Sequence, residues 1–140
     1  MGKVQILAVL TMDGCLSSEL YDKAHQDLCL DRCGLDEIRK KAFYRVTPDY
    51  SISMLHEWRK DCTNIRYLAE ATPDTADYIN GLLRMHAVDE IILYTVPFIS
   101  GSGRHFFKSA LPEQHWTLSS LKSYPNGVCS IIYILDKKAR

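Results

Sequence analysis

Residues 89–107 read DEIILYTVPFISGSGRHFF, and the fold follows from how this stretch is interpreted. Glu90 to Val96 carries Ile91, Ile92, Leu93, Tyr94 and Val96 with no polar face, the signature of a strand buried on both sides rather than one alternating between core and water. The run passes through Pro97 into Ser100-Gly101-Ser102-Gly103-Arg104 and then a short amphipathic turn, which predicts strand, glycine loop and helix start. Two glycines let a backbone approach a ligand closely, and successive amides at a helix start favour an anion such as phosphate, with Arg104 able to add a charge-assisted bond. The segment lacks both the third glycine of a dinucleotide fingerprint and the Lys-Ser/Thr of a P-loop, so a plain strand-to-helix turn is an equal reading of the pattern.

Working outward, Lys3 to Thr11 is a second continuous apolar run, predicted as a central strand that ends at Met12-Asp13-Gly14, a turn signal. Ser17 or Ser18 is expected to cap a helix with Leu20, Ala24 and Leu28 on one face, stopped by Gly34. Leu35 to Lys41 reads as a short helix and Ala42 to Val46 as a strand. Ser51 or Ser53 caps a helix through Ile52, Leu55 and Arg59 that closes at Asp61 to Asn64. Ile65 to Ala71 is a strand, and Thr72-Pro73-Asp74 starts a helix whose core face is Ala76, Ile79 and Leu83. His115 to Ser123 and Val128 to Leu135 are strands joined by Tyr124-Pro125-Asn126-Gly127, a hairpin signal. The whole predicts one α/β domain over residues 1–140: a mostly parallel sheet flanked by helices, with a C-terminal antiparallel hairpin.

The 140 residues balance 17 Lys plus Arg against 17 Asp plus Glu, so no net field draws the molecule to nucleic acid or to an anionic membrane. Five cysteines, Cys15, Cys29, Cys33, Cys62 and Cys129, are odd in number and scattered. This predicts free thiols in a cytoplasmic protein. Only Cys29 and Cys33, at i, i+4, have a spacing that suits metal, and without partners they predict no metal site. The five histidines lack H-x-x-x-H or HExxH spacing, and the serines lack a nucleophile elbow. Trp58 and Trp116 sit at apolar positions and are read as core rather than as stacking platforms.

Asp89-Glu90, the apolar strand, Pro97, Gly101-Ser102-Gly103 and Phe106-Phe107 resemble the "DE…P…G-x-G…F" segment of the dihydrofolate-reductase-like family that contains the reductase domain of bacterial riboflavin biosynthesis. Thr11-Met12-Asp13-Gly14 resembles that family's "S-x-DG" element, in the right order along the chain. The resemblance implies that Gly101, Ser102, Gly103 and Arg104 hold the pyrophosphate of NADPH or NADH. It further implies that Met12 and Gly14 border the nicotinamide and a small heterocyclic or ribosylated substrate, with Asp13 as the catalytic or substrate-contacting acid. The family's Gly-Arg-x-Thr, which holds cofactor phosphates, has only Tyr44-Arg45-Val46-Thr47 as its nearest counterpart, and the Gly-Gly pair before a later helix is absent. Two readings follow: a reductase, or a non-catalytic scaffold of the same fold that has lost the cofactor site; a phosphate-binding module unrelated to reductases needs only the glycine loop. A homodimer is expected on either of the first two, because the ribbon carries Val128, Ile132 and Ile134 on one face and Cys129, Ile131, Tyr133 and Leu135 on the other.

Overall fold

The computed structural model describes residues 2–16, 34–60, 65–97, 99, 101, 104–108 and 110–135. The helix expected from Ser17 or Ser18, the pair Cys29/Cys33, the helix end at 61–64, and Ser102 and Gly103 lie outside the described residues.

The two apolar runs are adjacent strands at the centre of the sheet. β1 (Lys3–Leu10) pairs in parallel with β5 (Glu90–Thr95), from Gln5 opposite Glu90 to Leu10 opposite Thr95. On its other side β1 pairs in parallel with β4 (Arg66–Glu70), and β4 with the two-residue β3 (Tyr44–Arg45). β8 (Cys129–Leu135) pairs antiparallel with β5, and β7 (Trp116–Ser123) pairs antiparallel with β8, giving the order β3-β4-β1-β5-β8-β7. β2 (Cys15–Leu16) and β6 (Arg104–His105) form a separate antiparallel pair.

Both faces of β1 are buried, as a run with apolar residues on both faces requires, and Gln5 is buried with them. Val4, Ile6, Ala8 and Leu10 join Tyr67, Ala69 and Ile91 in one core, covered by Leu55 of α2 (Ile52–Lys60) and by Ala76, Ile79, Leu82 and Leu83 of α3 (Ala76–Arg84). Leu7 and Val9 join Leu68, Ile92, Tyr94 and Val128 in the other, under Leu35 of α1 (Leu35–Lys41). Each such aliphatic side chain contributes about 1.5–3 kcal/mol by leaving water, so this central pair carries much of the stability.

Local chemistry sets the ends of the elements. Ser51 caps α2, its Oγ accepting from the Met54 amide at 3.1 Å. α3 begins at Ala76, three residues later than Pro73 would place it. The Thr75 hydroxyl donates to Glu70 O at 2.9 Å and accepts from the Thr72 amide at 2.8 Å, which holds 72–75 as a turn before the helix. The final hairpin is also longer than a two-residue Asn-Gly turn. Tyr124 N–H donates to Val128 O at 2.9 Å, leaving Pro125-Asn126-Gly127 as a three-residue loop whose glycine takes φ +89°.

Candidate functional site at the carboxyl ends of β1 and β5

After β4 the chain crosses to the far side of β1 to make β5, so the strand order reverses at β1. In open α/β sheets the crevice beyond the carboxyl ends of the strands at such a point is where ligands bind. Because β1 and β5 run parallel in register, the Asp-Gly turn and the glycine loop, 88 positions apart in sequence, leave the sheet at the same edge.

The Asp-Gly turn is tightly specified. Thr11 N–H donates to Cys15 O at 3.2 Å, Gly14 N–H donates to Thr11 O at 3.0 Å, and Gly14 sits at φ +78°, a conformation that a side chain would strain. The Thr11 hydroxyl donates to Asp13 Oδ1 while accepting from the Cys15 amide at 3.0 Å. With one oxygen so engaged, the other, Oδ2, accepts from the Gly101 amide at 3.0 Å. Two further links join the loops: Phe106 N–H donates to Gly14 O at 3.1 Å, and Cys15 and Leu16 pair with His105 and Arg104.

The structure therefore brings Asp13, Gly14 and Gly101 together, with Met12 exposed beside them and Arg104 opposite Leu16 in β6. Among the described residues, neither Gly14 nor Gly101, at φ +72°, has a heavy atom within 4 Å of the point a Cβ would occupy. Both backbones thus face open space. Met12, Ile99 and Phe107 give the surroundings an exposed apolar character.

The expected helix start after the glycine loop is absent: Arg104 and His105 form a strand, and 106–108 and 110–115 hold no helix. The causes are local. Pairing to β2 fixes 104–105 as extended, Phe106 is fully buried, Ala110 takes φ +62°, and Pro112 biases Leu111 away from helix. Among the described residues after the glycine loop, no helix start offers its dipole to an anion.

A residue that sequence reading missed holds this segment in place. Asn80 is completely buried in α3; its Nδ2 donates to Ala76 O at 2.8 Å and to Phe106 O at 2.7 Å, and its Oδ1 accepts from Lys108 N–H at 3.0 Å. Its sequence signal was present: Asn80 stands four positions after Ala76, on the face otherwise taken by Ala76, Ile79 and Leu83, where a buried amide needs partners.

Tyr44-Arg45-Val46-Thr47 occupies the edge strand β3 and its exit, between α1 and α2. Tyr44, where the resemblance would place glycine, stacks on Tyr67 with ring centroids 5.6 Å apart and planes 6° from parallel, beside Trp58. The departure has a packing role. Arg45 is largely exposed, 3.8 Å from Glu70, which also pairs with Arg39.

No family model matches the chain, and no curated protein matches it in sequence. Solved structures do. RibD of Acinetobacter baumannii matches at a TM-score of 0.60 with 12% identity, covering 98% of this chain, which spans 59% of that one. A protein of Shewanella sp. PV-4 named for riboflavin biosynthesis matches at 0.57 with 10% identity, over 96% of this chain and 99% of that one. A pyrimidine reductase-like protein of Corynebacterium diphtheriae matches at 0.56 with 12% identity, over 96% and 92%. The chain thus has the dihydrofolate-reductase-like α/β fold of the riboflavin-biosynthesis and reductase-like proteins that it matches.

Proposed function

We propose that the protein is a reductase using NADPH or NADH on a small heterocyclic or ribosylated substrate, at the joined loops beyond β1 and β5. The observation that carries this reading is the meeting of the Asp-Gly turn and the glycine loop through Asp13 and Gly101 at the strand-order reversal. The neighbours named for riboflavin biosynthesis and pyrimidine reduction support it.

The open backbone at Gly14 and Gly101 fits the close approach of a flat ring or a phosphate. Gly101, Ser102, Gly103 and Arg104 would hold the diphosphate, Arg45 would offer a second cation, and Met12 and Gly14 would border the ring and the substrate. A bound reduced nicotinamide supplies the hydride, so the protein's own task is orientation and exclusion of water. Asp13 positions the two loops. A cytoplasmic setting without nucleic-acid or membrane partners belongs to the same reading and rests on the scattered thiols and balanced charge. Among the described residues no helix is long and apolar enough to cross a membrane.

Titration with NADPH and with NADH, followed by calorimetry, tests the reading. Gly103→Val should abolish binding, and Arg104→Ala should weaken it by roughly ten- to a hundred-fold, the loss of a charge-assisted contact of about 1.5–3 kcal/mol. Circular dichroism must show both variants folded. No binding of either nucleotide by the wild type at millimolar concentration overturns it.

The second reading, a non-catalytic dimeric scaffold, is favoured by the strand that replaces a helix start after the glycine loop. A homodimer is proposed on both readings. Leu118 lies opposite Tyr133 and Leu121 opposite Ile131, so the four share one face of the β7–β8 ribbon, with Leu118 and Leu121 more than half exposed. Light scattering at micromolar concentration should give the mass of two chains, and the mass of one rejects the dimer.

A further inference from the structure

We infer that Asp13 is an internal anion seated on the glycine loop: its carboxylate holds the Gly101 amide that a nucleotide phosphate would use, so the site rejects phosphate until Asp13 lets go. The inference rests on reading the glycine loop as a phosphate cradle and adds a specificity device to it.

Three observations carry it. Asp13 Oδ2 accepts from the Gly101 amide at 3.0 Å, and Gly101 has φ +72° with no atom of the described residues within 4 Å on its side-chain side, so among these residues the contact is made where a ligand has room to approach. The carboxylate is held for this contact rather than swinging freely, because Thr11 donates its hydroxyl to Oδ1 and is itself fixed by the Cys15 amide at 3.0 Å. The described residues that follow the loop enter β6 as an extended pair with Cys15 and Leu16 rather than as a helix start, so they add no helix dipole to offset the acid. A hydrogen bond to a charged group is about twice as strong as a neutral one, and a phosphate brought to the same amide meets both a competitor and a like charge. A neutral or apolar ligand, bordered by Met12 and Ile99, meets neither obstacle.

The test uses the full chain as wild type, Asp13→Asn and Asp13→Ala, with sodium pyrophosphate as probe. Calorimetry gives the affinity, and the nitrogen-15 amide resonance of Gly101 reports where the probe sits. Asp13→Ala should bind pyrophosphate at least tenfold more tightly than wild type, with the Gly101 resonance moving on titration. Asp13→Asn, which keeps an acceptor for the Gly101 amide but no charge, should fall between. Should Asp13→Ala fail to fold, Asp13→Asn decides alone: a gain of threefold or more supports the inference, and none overturns it. Equal affinity in all variants, or no binding in any, also overturns it. Parallel titration with NADPH and NADH separates the two proposals. A pyrophosphate gain without binding of either nucleotide keeps the internal anion and removes the reductase. Nucleotide binding by wild type that Asp13→Asn leaves unimproved keeps the reductase and removes the internal anion.

Discussion

The two ends of the β1–β5 pair are built differently. At the amino-terminal end, Asp89 Oδ2 accepts from the Val4 amide at 2.9 Å and the Arg59 guanidinium lies 3.7 Å from Oδ1, with both side chains largely buried. Arg59 also donates to His86 O at 3.1 Å, tying α2 to the turn after α3. At the carboxyl end a similar motif, a carboxylate accepting from a backbone amide, joins Asp13 to Gly101, but here both glycines face open space among the described residues and Met12 and Ile99 are exposed. The same bond type serves anchoring where it is buried with a cation and remains exchangeable where it stands near water. Stability should therefore respond to the first end and ligand binding to the second.

The largest expected effect breaks the anchored end. Asp89→Ala takes the carboxylate away from the Val4 amide and from the Arg59 guanidinium, which keeps His86 O but loses its counter-charge in a largely buried place, and should lower stability by about 3–5 kcal/mol. Urea unfolding measures this. A loss below about 1 kcal/mol would show that the two ends do not differ as described.

Next comes the brace of the segment beyond the glycine loop. Asn80→Ala removes the partner of Phe106 O and Lys108 N–H, and should cost about 1–3 kcal/mol through unsatisfied buried groups. Hydrogen exchange should show faster exchange at the Lys108 amide while the central amides of β1 remain protected. Uniform acceleration across the sheet would instead make Asn80 part of the global core.

The smallest effect is at the open end. Gly14→Ala meets no steric neighbour among the described residues, so the expected penalty is that of the left-handed φ, about 1–2 kcal/mol. The thermal midpoint should fall by a few degrees. A larger loss would mean that the Asp-Gly turn anchors the fold, and the contrast between the ends would fail.

Much of the fold was legible because burial on both faces leaves a mark in the chain itself. Lys3–Thr11 and Glu90–Val96 read as central strands since apolar residues fill both faces of each, with Gln5 and Thr95 as interior exceptions, and Ser51 declared its cap by chemistry and position. The site was legible only as two separate motifs. Nothing local in Thr11–Gly14 says that its carboxylate ends on Gly101, because that contact depends on parallel register between strands 85 positions apart. The glycine loop misled for a related reason. Gly-Ser-Gly-Arg is compatible with a helix start, and only the partner strand Cys15–Leu16 decides for an extended course. Arg59, which helical spacing puts on the same face as Ile52 and Leu55, folds back onto Asp89, a partner that nothing local in the chain names.

The sequence by itself determined the alternation of strands and helices, the two central strands, the terminal hairpin and the two candidate loops, since hydrophobic period, capping chemistry and turn residues are local properties. Tertiary structure alone decided that the two loops meet, that Asp13 grips a backbone amide, and that buried Asn80 braces the segment beyond the glycine loop. Those outcomes come from hydrogen bonds between residues distant in the chain, whose partners are chosen by sheet register and by the need to satisfy every buried polar group.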